Sequence, residues 1–239
     1  FINALMGDDI VLTKTVGKAA TGAVLEIFFD VPQTEQRQAI VNYRDEKNIL
    51  GLIDDFIQRY KLNNLAITSL DLHFVNQLLT IEPEQKITEA EARTNFERLR
   101  ETLADIVLQY INNKNSDLRP NFSLDNPRDI RELKELTDEH SDINAKNSST
   151  RKIGLIQTVT YHLHRVDNNT NLQTLRLPKN VCLVDLPGLD GSALHNIIIT
   201  EGIKEADAVI YIKRQRRIDT DRDMDLLRID RKYICLVGI

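Results

Sequence analysis

Asp185 ends a short apolar run, Val181-Cys182-Leu183-Val184, and leads into Leu186-Pro187-Gly188. A carboxylate at the tip of a strand, followed by a turn, suits a divalent cation beside a terminal phosphate. Asp185 would hold Mg2+, most often through a water. Gly188 has no Cβ, so its backbone could approach a γ-phosphate and donate its N–H. Pro187 would stiffen the turn between them. Asp, Pro and Gly also make ordinary strand exits. The four apolar residues before Asp185, and the helix-then-strand pattern after Gly188, favour the phosphate reading over the plain turn.

A nucleoside triphosphate site also needs a hydroxyl for the metal and a loop that senses the γ-phosphate. Thr21 lies between Ala20 and Gly22, just before an apolar strand. Its hydroxyl could bind Mg2+ and its N–H could meet the γ-phosphate. Thr13 and Thr15 are rivals in the same loop, and Thr21 could simply start the strand, since Thr favours β structure. The phosphate-cradling pattern G-x-x-x-x-G-K-[ST] is absent. Phe1-Ile2-Asn3-Ala4-Leu5-Met6-Gly7 reads as the helix that follows such a loop. The expectation is therefore an internal piece of a nucleotide-binding domain, cut at both ends and inactive by itself.

Composition narrows the alternatives. The chain has 239 residues, 41% of them hydrophobic, enough for one large domain or a domain with an insertion. It has no Trp and only 5% aromatic residues, which argues against a base-stacking platform. The net charge of -5 gives no basic footprint, so no nucleic-acid partner is expected. The basic run Lys213, Arg214, Arg216, Arg217 is answered by Asp219, Asp221, Asp223 and Asp225, as on a self-neutralising surface. Cys182 and Cys235 fall in apolar runs and read as free buried thiols, which fits a reducing compartment. His162 and His164 alternate on one strand. A metal pair is the weaker reading, because no Cys or acidic cluster sits at ligand spacing.

The elements that must position these residues alternate between β and α patterns. Ala23 to Phe29 reads as a strand. Thr34 to Tyr60 reads as helical, with Ile49, Leu52, Ile53, Phe56, Ile57 and Tyr60 as an apolar stripe. Residues 65–72 partly alternate, as a strand would. A helix is expected from a capping start at Thr88 to about Asn112, with Phe96, Leu99, Leu103, Ile106, Val107 and Tyr110 on one face. A polar connector follows to Asp125. Another helix spans 126–140, with Pro127 in its first turn. Strands are expected at 152–166, 172–177, a buried one at 181–184, then 208–212 and 233–237, with helices at 193–205 and 219–229. The fold class is α/β: a mixed, P-loop NTPase-type sheet flanked by helices, in one partial domain over 1–239, with a helical insertion at about 34–149.

Several of these segments resemble dynamin-family large GTPases. Phe1-Ile2-Asn3-Ala4-Leu5-Met6-Gly7 is similar to the F-I-N-A-L-L-G that follows the family's GK[ST] loop. Ala20-Thr21-Gly22-Ala23-Val24-Leu25 is similar to the switch I stretch P-T-T-A-V-L of bacterial dynamin-like proteins, with Ala20 and Gly22 in place of Pro and the second Thr. Val184-Asp185-Leu186-Pro187-Gly188 matches the family's D-x-P-G, and Glu205-Ala206-Asp207-Ala208-Val209-Ile210-Tyr211 resembles its next strand. The likeness covers about the first thirty residues and the stretch from Val181 onward. It implies GTP as ligand, GTP hydrolysis with Mg2+, self-association through the GTPase domain, and membrane remodelling. The protein would be cytoplasmic or peripheral at a membrane, which it would touch through regions not in this chain. The guanine-reading [NT]-K-x-D motif would follow the last strand, where the chain has Gly238-Ile239. An ATPase of the P-loop class, and a nucleotide-binding module with a degenerate site, are the alternatives.

Overall fold

The computed structural model describes residues 23–62, 65, 67, 69–83, 87–138, 141–145, 149–164, 181–186, 199, 206–213 and 233–238. The first strand, β1, runs Val24–Val31, and residues 32–37 carry the chain into β2, Gln38–Tyr43. Helices α1 (Glu46–Tyr60), α2 (Leu72–Thr80) and α3 (Ala90–Asn113) follow, then a short strand β3 (Asn121–Ser123) and α4 (Pro127–Thr137). Strands β4 (Ile156–His164) and β5 (Cys182–Asp185) come next, and β6 (Ala208–Lys213) and β7 (Tyr233–Gly238) are the last described elements.

Five strands form one mixed sheet in the order β3-β2-β4-β1-β5. β4 is central. It pairs parallel to β1 and antiparallel to β2, while β5 runs antiparallel to β1 at the edge. β1 and β2 are consecutive in the chain yet are separated by β4, so the 32–37 connection arches over the end of that strand. Two bonds hold the arch: His164 donates through Nε2 to the Glu35 carbonyl at 2.7 Å, and Arg37 donates through Nε to Asp125 at 2.8 Å. β6 and β7 form a separate parallel pair.

The sequence pattern explains most of this. Period-two alternation buries Leu25 and Ile27 of β1, Ala39 and Val41 of β2, and Val159, Tyr161 and Leu163 of β4 on one sheet face, where Leu133 and Leu136 of α4 cover them. The opposite face mixes polar residues with Val24, Phe28 and Ile40. Asn42 donates to Thr158 at 2.8 Å, and Thr160 donates to Glu26 at 2.8 Å. The helices build a second core. Ile49, Leu52, Ile53 and Phe56 of α1 meet Phe96, Leu99, Leu103, Ile106 and Val107 of α3, with Phe74, Val75 and Leu78 of α2. Phe56 stacks on Phe96 at 5.4 Å, and Tyr60 meets the same ring edge-on at 4.9 Å. α1 opens with a capping box between Asp45 and Asn48 and closes on Lys61 in the left-handed conformation. Gly154 is required where it stands: a Cβ there would lie 2.9 Å from the Ile106 side chain, and its N–H donates to Gln109 at 2.8 Å.

Four expectations need correction. The helical pattern expected from Thr34 to Tyr60 begins only at Glu46, because Gln38–Tyr43 form β2, and β3 lies within the connector expected before Asp125. Alternation over only six residues, Gln38 to Tyr43, is masked by the stronger stripe of α1. No strand forms among the described residues of 65–72; instead Asp71 accepts from the Phe74 N–H at 2.9 Å and starts α2. α3 begins at Ala90 with Glu89, not Thr88, as its cap, and Glu89 makes no side-chain capping bond. The strand before Asp185 is not buried: it has one strand neighbour among the described residues, and Val184 is 44% exposed. The expected helix at 1–6, strand at 172–177 and helix at 219–229 lie outside the described residues. So does the helix at 193–205, apart from Ile199, which is helical and buried.

Candidate functional site

Asp185 is the last residue of β5, as the apolar run and the Pro-Gly turn predict. The antiparallel register sets Asp185 opposite Leu25, Val184 opposite Glu26 and Leu183 opposite Ile27. Cross-strand partners share a face, so Asp185 lies on the same side as buried Leu25, and Val184 lies on the opposite, mixed side. Burial raises the Asp185 carboxyl above the usual carboxylate range. Among the described residues no side-chain hydrogen bond or ion pair engages it.

The same register fixes which end of the sheet this is. β1 and β4 both begin at the Asp185 end, since Val24 pairs with Thr158. β2 finishes there, with Tyr43 beside Ile156, and the chain turns into α1.

No protein-family model matches the chain, and no curated protein matches it.

The histidines occupy the far end. His162 pairs with Phe28 and His164 with Val31. Six residues of strand from Leu25 to Val31 separate the two ends by about 20 Å. His162 donates through Nδ1 to the Asp30 carboxylate at 2.9 Å and stacks on Phe28 with centroids 5.6 Å apart. Among the described residues no group of three or more His, Cys, Asp or Glu could hold a metal ion. Of the two residues expected to bind Mg2+, Thr21 and Asp185, only Asp185 lies among the described residues.

Thr21, Pro187 and Gly188 lie outside the described residues, as do Thr13 and Thr15. Cys182 is a free thiol, half-buried, and burial raises its pKa. The pairing of Asp30 with His162 had no signal in the sequence, because the two residues are 132 positions apart and meet only through the parallel register of β1 and β4. The Asp129 cluster was equally hidden. Asp129 accepts from the Ser123 N–H at 2.9 Å and from Arg119, and these two contacts hold its carboxyl below the usual range. Its position suggests a structural joint between β3 and α4. Among the described residues no helix is long and apolar enough to cross a membrane.

Proposed function

We propose that this chain is the switch region of a GTP-binding and GTP-hydrolysing domain of dynamin type. Asp185 holds Mg2+, Thr21 adds a hydroxyl to the same ion, Gly188 senses the γ-phosphate and Pro187 stiffens the turn that carries it. The observation that supports the reading is the Leu25–Asp185 pairing. It sets the carboxylate at the sheet end where β1 begins, two residues after the stretch Ala20-Thr21-Gly22. A carboxylate that has no hydrogen-bond or ion-pair partner among the described residues, desolvated at a strand tip, is a common preparation for a cation. Catalysis in such a site rests on positioning and charge stabilisation. Guanine preference, self-association through the domain and membrane remodelling follow from the resemblance alone.

The test is GTP turnover by the natural polypeptide that carries these residues. Asp185→Ala should lower the rate at least a hundredfold, about 2.7 kcal/mol of barrier. An unchanged rate rejects the assignment. Competition between GTP and ATP separates the guanine reading from an ATPase. Tight GTP binding without turnover would favour a degenerate binding module, the reading that Ala20 and Gly22 invite.

A further inference from the structure

Three large apolar side chains are exposed among the described residues: Leu72, Leu79 and Val184. Two of them stand on α2, whose other apolar residues, Phe74, Val75 and Leu78, are buried in the helical core. At about 100° per residue, Leu72, Asn76 and Leu79 fall within about 60° of one another and make one stripe. Leu72 is 60% exposed, so the stripe begins on a side chain that the fold leaves mostly in water. Asn76 is exposed too, and among the described residues its side-chain amide has no hydrogen-bond partner.

α2 also stands apart in charge. Leu72–Thr80 holds no Asp, Glu, Lys or Arg, whereas α1, α3 and α4 each carry both signs. A chain of net charge -5 repels its own copy, and a neutral ridge is where that repulsion is least. An anionic membrane surface is a poorer occupant, because Asp71 precedes the helix, Glu82 follows it and no Lys or Arg lies on it.

The order of the stripe is symmetric. A two-fold contact brings one surface against itself, so its residues meet in reverse order. The midpoint between Leu72 and Leu79 falls beside Asn76. Antiparallel α2 helices crossing there set Leu72 of each copy against Leu79 of the other, with the two Asn76 amides side by side. A carboxamide carries both donors and an acceptor, so it can bond to its own copy, which a lone charge cannot.

We propose that α2 is a contact between two copies of this chain, with Leu72, Asn76 and Leu79 at a two-fold axis. Nine residues at the helical rise give a ridge of about 14 Å, which makes a small and therefore weak interface. The contact forms without nucleotide and does not rest on the GTPase reading.

Sedimentation equilibrium of the nucleotide-free 239-residue chain, from micromolar to near-millimolar concentration, tests it. The weight-average mass should rise from monomer toward dimer. Leu72→Gln and Leu79→Gln should each weaken association about tenfold. Asn76→Asp sets two like charges at the axis and should weaken it at least as much, and added salt should recover part of that loss by screening. All three positions are exposed, so unchanged thermal melts will show that the fold is intact. A mass that stays monomeric throughout overturns the proposal. So does a dimer that all three substitutions leave unchanged, since another surface then makes it, and so does a dimer that appears only with GTP.

Discussion

β4 and β5 have similar apolar character in the sequence and opposite places in the fold. β4 lies between two strands and buries Val159, Tyr161 and Leu163 beneath α4. β5 has one described neighbour and leaves Val184 exposed. An apolar run thus reports strand formation but not depth, because depth is set by how many strands pair on each side. A strand anchored on both sides holds the sheet; under the proposed function, the strand with one described neighbour carries the carboxylate that meets the ligand.

Matched truncations would break or sharpen this contrast. Leu163→Ala on β4 removes a side chain that is 4% exposed and should cost about 3 kcal/mol, within the range for buried leucines. Leu183→Ala on β5, half-buried at the edge, should cost about 1 kcal/mol. Urea denaturation of the two variants measures both, and equal losses would remove the distinction between centre and edge.

Next in size is an acid effect away from both strands. The folded-state pKa of Asp129 is depressed by the Ser123 N–H and by Arg119. Its contribution is therefore complete at neutral pH, above the unfolded carboxylate value of about 3.9. It is lost as pH falls through the depressed folded value. Asp129→Asn should destabilise the chain at pH 7 and show a smaller further loss on acidification than the parent. Thermal melts at a series of pH values decide this, and parallel acid profiles would contradict it.

Asp185 should behave in the opposite sense. Burial raises its folded-state pKa, so the folded chain favours the protonated form. The stability this supplies is full below the unfolded value and declines as pH rises through the folded one. Asp185→Asn should therefore raise the melting temperature of the ligand-free chain slightly at pH 7 while impairing nucleotide turnover, as expected where function opposes stability. A lower melting temperature would mean that the carboxylate is engaged structurally. The smallest effect belongs to Val184→Thr, which should change stability by no more than about 0.5 kcal/mol.

Long stripes and turn chemistry were the legible parts of this sequence. The stripe from Ile49 to Tyr60 and that from Phe96 to Tyr110 gave α1 and α3, because many repeats of one period outweigh local noise. Pro127 after Asn126 marked the start of α4, where the Asn126 side chain accepts from the Arg128 N–H at 3.0 Å. β2 and α2 were not legible. Each is short, and each borders a segment with another period. The end of β5 could be read at Asp185 from local chemistry, but its edge position could not, since pairing with β1 is a long-range fact. Asp30 with His162 and Arg119 with Asp129 were invisible for the same reason.

The central claim is that the sheet end carrying Asp185, and not the end carrying His162 and His164, meets the cation and the triphosphate. The most direct measurement is paramagnetic broadening of backbone amide signals by Mn2+ and GTP in the natural polypeptide. Amides of Leu25, Val184 and Asp185 should broaden most, those of Val31 and His164 least, and Asp185→Ala should abolish the gradient. Strongest broadening at His162 and His164, or a gradient that survives Asp185→Ala, would contradict the account.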